Sequence, residues 1–188
     1  MPTSFLAGFL KEYPLAKKYL IVPTYQLGHQ MGDVLAQQTE NWANLHFVTL
    51  PSLAQEVAGA ELSGQGIKLV SWTASLFLVD RIFRELKEGG RLGYFGKIEA
   101  TSGIVRIIRN SLFSLRMAAL KSGDISPSYF IFQQKGEEII LFLKRYEDEI
   151  RKEKKIDMPG LYEIALSKID LWRKQRGNSP DQEFYLSF

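Results

Sequence analysis

Hydrophobic and polar positions follow two different rhythms along this chain. In the first sixty residues, short apolar runs end at prolines and give way to helical spacing. Tyr19-Leu20-Ile21-Val22 stops at Pro23, which has no backbone N–H to extend a ladder, so a buried strand is expected there. Thr24 can cap a following helix whose inner face carries Leu27, Met31, Val34 and Leu35. His46-Phe47-Val48-Thr49-Leu50 is a second strand candidate, ended by Pro51. Ser52 then opens another helix, and Gln55 three residues on completes a capping box. Strand, helix, strand, helix in this order predicts parallel strands with helical crossovers.

From about residue 70 the spacing becomes helical. Leu76, Val79, Phe83 and Leu86 form a stripe on a helix that starts near Ser71 and ends at Gly89-Gly90. Gly93, Gly96 and Gly103 punctuate a loop. Ser102 caps a helix with Ile104, Ile107, Ile108, Leu112 and Leu115 inward, and Gly123 and Pro127 break it. A long helix follows with Ile139, Leu143, Tyr146 and Ile150 on one face. Asp157 and Pro159 start a last helix carrying Leu161, Ala165, Ile169 and Trp172. Gly177-Asn178-Ser179-Pro180 ends it, and Phe184-Tyr185-Leu186-Ser187-Phe188 reads as a strand. A strand at the last residues needs a partner and a continuation, which implies a piece of a longer protein. The expected fold is α/β but predominantly helical: an α/β part over 1–68, a helical lobe over 69–178, and a strand over 179–188 returning to the α/β part.

Composition narrows the function only a little. Twenty-four basic and 21 acidic residues leave a net charge of +3, which neither requires nor excludes a nucleic-acid partner. The absence of cysteine excludes disulfides, thiolate metal sites and a cysteine nucleophile. The first residues lack a basic start, and no apolar run approaches the ~18 residues of a membrane span, so neither a signal peptide nor a span is expected, and the lack of cysteine fits a reducing, cytoplasmic setting.

Two stretches resemble the superfamily 1 helicase fold. Val22-Pro23-Thr24-Tyr25-Gln26 looks like the segment that follows the nucleotide loop, and Phe47-Val48-Thr49-Leu50-Pro51-Ser52-Leu53-Ala54 is similar to the next family segment. Further on, Gly103-Ile104-Val105-Arg106, Leu115-Arg116, Ile125-Ser126-Pro127, Lys135, Tyr146-Glu147, and Asp157 with Leu161 and Ala165 resemble, in order and spacing, the inserted helical lobe of AddB-type subunits. The resemblance implies a small, incomplete parallel sheet of the P-loop-helicase type with an inserted helical lobe. It also implies a parent subunit that repairs double-strand DNA breaks with an AddA-like motor partner.

One family feature is missing. The Gly-x-x-x-x-Gly-Lys-Ser/Thr loop that grips phosphate and magnesium is replaced before Tyr19 by Lys11-Glu12-Tyr13-Pro14-Leu15-Ala16-Lys17-Lys18. No acidic magnesium strand is present either. With Met1 taken as a natural start, the expectation is a motor without nucleotide hydrolysis, no cofactor, and no catalysis by this chain alone. No lysine completes a nuclease pattern after Asp181, and neither Gly-x-Ser-x-Gly nor His-Glu-x-x-His occurs.

The candidate contacts are therefore with a DNA backbone. Arg106, Arg109 and Arg116 fall within about 80° of one another at 100° per residue and make a basic stripe on a helix. The stripe either contacts phosphates of single-stranded DNA, weakly and without sequence preference, or is a solvated face or a seat for the rest of the subunit. Thr24, Gln26, Thr49 and Ser52 lie at strand ends where a backbone could be hydrogen-bonded, and Thr24 and Ser52 also have capping roles. Gly96-Lys97 imitates a nucleotide loop but reads as a connector between helices. Arg151-Lys152-Glu153-Lys154-Lys155 reads as a solvated helix end, His29 and His46 as ordinary histidines, and Trp42, Trp72 and Trp172 as core. The other function class is a docking scaffold with no DNA contact.

Overall fold

Lys18–Ile21 forms strand β1 and Leu45–Val48 forms β2, each starting one residue earlier than the apolar runs indicate. The computed structural model describes residues 8, 10, 11, 14–37, 43–176 and 183–186. β1 and β2 pair in parallel, with Lys18 opposite Leu45 and Ile21 opposite Val48. Glu183–Leu186, β5, lies parallel on the other edge of β1, giving the order β2-β1-β5. Helix α1, Tyr25–Gln37, makes the crossover between β1 and β2. The fold is thus predominantly helical α/β with parallel strands.

The face that α1 buries differs from the expected one. Gly28, Gly32 and Leu35 are buried, whereas Leu27 and Val34 are exposed. The reason is the close approach of helix to sheet: a Cβ built on Gly28 lies 2.8 Å from the Phe47 side chain. Gly28 supplies contact surface that a count of apolar residues assigns to leucine and valine. Leu10, Leu20, Val22, Leu35 and Leu45 complete this small core, with Met31 and Phe47 against it.

Helix α2 spans Leu50–Gln65, so Pro51 sits in its first turn rather than ending a strand. Its cap is Thr49 with Ser52, not Ser52 with Gln55. The Thr49 N–H donates to Ser52 Oγ at 3.0 Å and the Ser52 N–H to Thr49 Oγ1 at 3.3 Å. The serine takes the reciprocal role expected of the glutamine.

By contact density the chain divides into two compact units, residues 1–60 with 164–188, and residues 61–163. In the second unit, α3 (Trp72–Glu88), α4 (Ser102–Met117) and α5 (Gln133–Lys152) pack around one core. Ser71 caps α3 through a hydrogen bond from the Ala74 N–H at 3.1 Å. Phe83 and Phe142 hold it together with ring centroids 5.6 Å apart, and Phe95 meets Phe142 edge-on at 5.8 Å. Thr101, not Ser102, caps α4, and the buried stripe is Val105, Ile108 and Leu112. Ile107 is exposed, because on a helix it lies about 100° from Ile108.

Two elements had no pattern to reveal them. Lys68–Leu69 (β3) and Lys155–Ile156 (β4) form a parallel pair of two residues each. The Lys68 N–H reaches the Lys154 carbonyl at 3.0 Å and the Val70 N–H reaches that of Ile156 at 2.7 Å. Directly after β4, Met158–Arg176 forms α6.

Candidate nucleic-acid interface

The three arginines of α4 do three different things. Arg106 is exposed. Arg109 donates from Nε to Ser75 Oγ at 2.9 Å and lies over two rings, 4.7 Å from the Phe113 centroid and 5.8 Å from that of Trp72. Burial lowers its pKa from the usual guanidinium value. Arg116 is only 11% exposed and is held in two prongs by Asp157, Nε to Oδ2 at 2.7 Å and Nη2 to Oδ1 at 2.8 Å. Glu147 adds a contact at 3.4 Å. Burial opposes the charge on Arg116, yet the hydrogen bond and the charge of Asp157 leave its pKa raised. A continuous solvated stripe of three arginines is therefore corrected to one open cation, one stacked cation and one paired cation. Helical periodicity places side chains on a face but cannot show that an acidic residue 41 positions away meets one of them.

Asp157 has a second task. As N-cap of α6 it accepts the Gly160 N–H on Oδ1 at 3.1 Å. The Tyr146 phenol lies against the same carboxylate. Burial first, then the charge of Asp157, push its pKa far up. Glu147 in turn accepts the Ser122 hydroxyl at 2.8 Å, which ties the segment after α4 to α5.

Beside this network opens a cleft of about 750 Å³. Its walls come from the end of α2, the end of α4, the last turns of α5, β4 and the start of α6. Five lining residues are Arg or Lys (Arg116, Lys121, Arg151, Lys154 and Lys155) and two are Glu (Glu147 and Glu163). Arg116 is balanced by its own partners. The reach toward solvent belongs to Lys121, Arg151, Lys154 and Lys155, all exposed. Arg151 touches Asp148 at 3.5 Å, and Lys155 touches Glu153, whose pKa is lowered by Lys155 first and then Arg81. Such exposed pairs contribute little and exchange readily for another anion. Three of the cleft's four open cations come from the run 151–155, for which a solvated helix end is expected from sequence. What the sequence lacked was the turn at Lys154, whose φ of 49° is left-handed and folds the run back on itself.

The four polar residues at the sheet edge are brought together in part. Ile21 and Val48 are paired, so Thr24 and Thr49 follow neighbouring strand ends. Thr24 Oγ1 accepts the Leu27 N–H at 3.2 Å, an ordinary cap, and Gln26 is exposed beside it. The Thr49 and Ser52 hydroxyl protons stay within the cap: Thr49 donates to Ser52 Oγ at 3.1 Å, and Ser52 to the Thr49 carbonyl at 2.8 Å. Neither offers a donor to a phosphate.

The glycine-rich segment that imitates a nucleotide loop does bind an anion, and the anion is the chain's own. The N–H groups of Gly93, Tyr94 and Phe95 donate to the Glu138 carboxylate at 2.8, 2.6 and 2.8 Å. Glu138 is 5% exposed. A Cβ on Gly93 would fall 2.1 Å from Nε2 at the far end of the exposed Gln134 side chain, which would have to swing aside. Lys97, which a phosphate loop would aim at its ligand, is exposed in the following turn.

His29 and His46 are exposed, Trp72 is half-exposed, and Trp172 is buried beside Tyr19 with centroids 6.4 Å apart. Trp42 lies outside the described residues. Among the described residues no group of His, Asp or Glu is placed to hold a metal ion, and no helix is long and apolar enough to cross a membrane. No family model matches the chain, and no curated protein matches it.

Proposed function

We propose that the chain is a non-catalytic, helicase-like module of a cytoplasmic, AddB-type DNA-repair subunit, and that it guides single-stranded DNA by weak, sequence-independent contact with phosphates. The observation that carries the DNA contact is the cleft whose solvent-facing cations are Lys121, Arg151, Lys154 and Lys155. Phosphate contact needs mobile cations that converge without a rigid partner, and two of the carboxylates beside the cleft, Asp157 and Glu147, are already occupied by Arg116, Gly160 and Ser122. Arg106 extends the basic surface along α4, ten residues or about 15 Å from Arg116. The helicase-like sheet, the inserted helical lobe and the AddA-like motor partner rest on the resemblance in the sequence. Retardation of a labelled single-stranded oligonucleotide at low salt, abolished by Lys121→Glu with Arg151→Glu, is the supporting result. A thermal shift with Mg-ATP would point to a nucleotide hydrolase instead.

A docking scaffold is the second reading. Leu166 and Leu171 of α6 favour it, since both stand exposed on the helix. Unchanged DNA binding after charge reversal in the cleft, with loss of subunit assembly after Leu166→Glu, would select it.

A further inference from the structure

The second unit carries an exposed aromatic cluster that its own packing does not require. Residues 118–132 connect α4 to α5. The Ser122 hydroxyl on Glu147 pins the start of this connector beside the cleft. Its end is pinned by Phe130, which joins the helical core and lies so close to Gly136 that a Cβ there would come within 2.4 Å of the ring. Between these pins the backbone is set by Pro127 and by a 2.7 Å hydrogen bond between the Ser126 and Ser128 hydroxyls. With Phe130 turned inward, its neighbours turn outward: Tyr129, Ile131 and Phe132 are 78%, 98% and 64% exposed.

We propose that the loop 129–132 is a base-stacking platform for the single-stranded DNA whose phosphates lie in the basic cleft. The proposal rests on the DNA reading above and names the part of the ligand that cations cannot grip. Gly136 and Glu147 are 11 residues apart on α5, which sets the loop about 16 Å from the cleft along that helix. A single strand at ~3.4 Å per stacked nucleotide covers that distance in about five nucleotides. The surroundings match the ligand in charge. The segment 126–132 contains no acidic residue, Lys135 follows at the start of α5, and the cleft beyond is basic. Two of the three exposed side chains are aromatic rings, which stack on any base without choosing among them. A duplex keeps its bases enclosed and cannot use them, so the platform selects single strands.

The test compares a labelled oligonucleotide with an abasic strand of the same length, which keeps the phosphates and lacks the bases. The unaltered protein is expected to bind the intact strand about tenfold tighter or more. Tyr129→Ala with Phe132→Ala should lower the affinity for the intact strand to the abasic level while leaving abasic binding and its salt dependence unchanged. The fold, checked by circular dichroism, should not respond, because both side chains stand in solvent. Equal affinity of the unaltered protein for the two strands overturns the platform and leaves the cleft reading in place. So does a double variant that still prefers bases, or one whose only effect is lost self-association on sedimentation, which would assign the loop to a second copy of the chain. Failure to bind either strand overturns the platform and the cleft reading together.

Discussion

Arg116 on α4 and Asp157 at the cap of α6 are locked together by two hydrogen bonds, 2.7 and 2.8 Å long, 41 residues apart in sequence. One carboxylate thus neutralises a nearly buried cation and begins a helix. The pair removes Arg116 from the pool of cations available to a ligand and leaves that task to exposed lysines around it. Truncating one partner strands the other in a poorly hydrated site. Arg116→Met should therefore cost about 3–5 kcal/mol, and Arg116→Met with Asp157→Asn should cost clearly less than the sum of the single changes. Urea unfolding of the four proteins measures the coupling, and simple additivity would mean the pair is not held as described.

Glu138 should be indispensable for the fold rather than for binding. Its carboxylate accepts from three backbone N–H groups, those of Gly93, Tyr94 and Phe95. Glu138→Gln keeps the shape but replaces one acceptor oxygen with a donor, at a cost of about 1–3 kcal/mol. The same change should leave DNA affinity per folded molecule unaltered. A Glu138→Gln protein as stable as the parent in urea would contradict this role.

Lys154 holds a left-handed backbone conformation that glycine tolerates better. Lys154→Gly should stabilise the protein by about 1 kcal/mol while weakening single-strand binding. Opposite signs for stability and affinity would show a side chain kept for contact at a small cost to the fold. Loss of both, or gain of both, would place the lysine among ordinary helix ends.

Alkaline pH should unfold the chain through Tyr146. Its pKa is raised, chiefly by burial and then by the charge of Asp157, so the folded state holds the phenolic proton more tightly than the unfolded chain. Below pH ~10 both states are protonated and the contribution is fully present. Above it the unfolded chain ionises first, and stability falls by up to about 1.4 kcal/mol per pH unit from this group. Urea midpoints measured across this range should drop for the parent and drop less for Tyr146→Phe. Equal losses would mean the buried phenol is not responsible.

Much of this arrangement was legible in the chain because burial leaves a period. The stripe Ile139, Leu143, Tyr146 and Ile150 is buried along α5, and Ser71 caps α3 at the expected place. Periodicity failed where the contact surface is glycine, as at Gly28 against Phe47, and where the strand is only two residues long, as at Lys155–Ile156. It failed differently at the site. Arg116 and Arg106 have the same side-chain chemistry and lie about 80° apart around one helix, but long-range partners make one a buried pair and leave the other open. The run 151–155 reads as a solvated helix end because nothing local shows that it folds back through a left-handed lysine into β4. Pairing partners of buried charges are set by the tertiary fold, so short-range sequence patterns carry no record of them.

The most direct test of the account is the salt dependence of single-stranded oligonucleotide binding, read by fluorescence anisotropy for the parent and for Lys154→Gln with Lys155→Gln. If the four open cations of the cleft each displace a counterion, the slope of log affinity against log salt is about −2.8 for the parent and about −1.4 for the double variant. Binding that is absent at low salt, or a slope that the double substitution leaves unchanged, would contradict phosphate contact at this cleft.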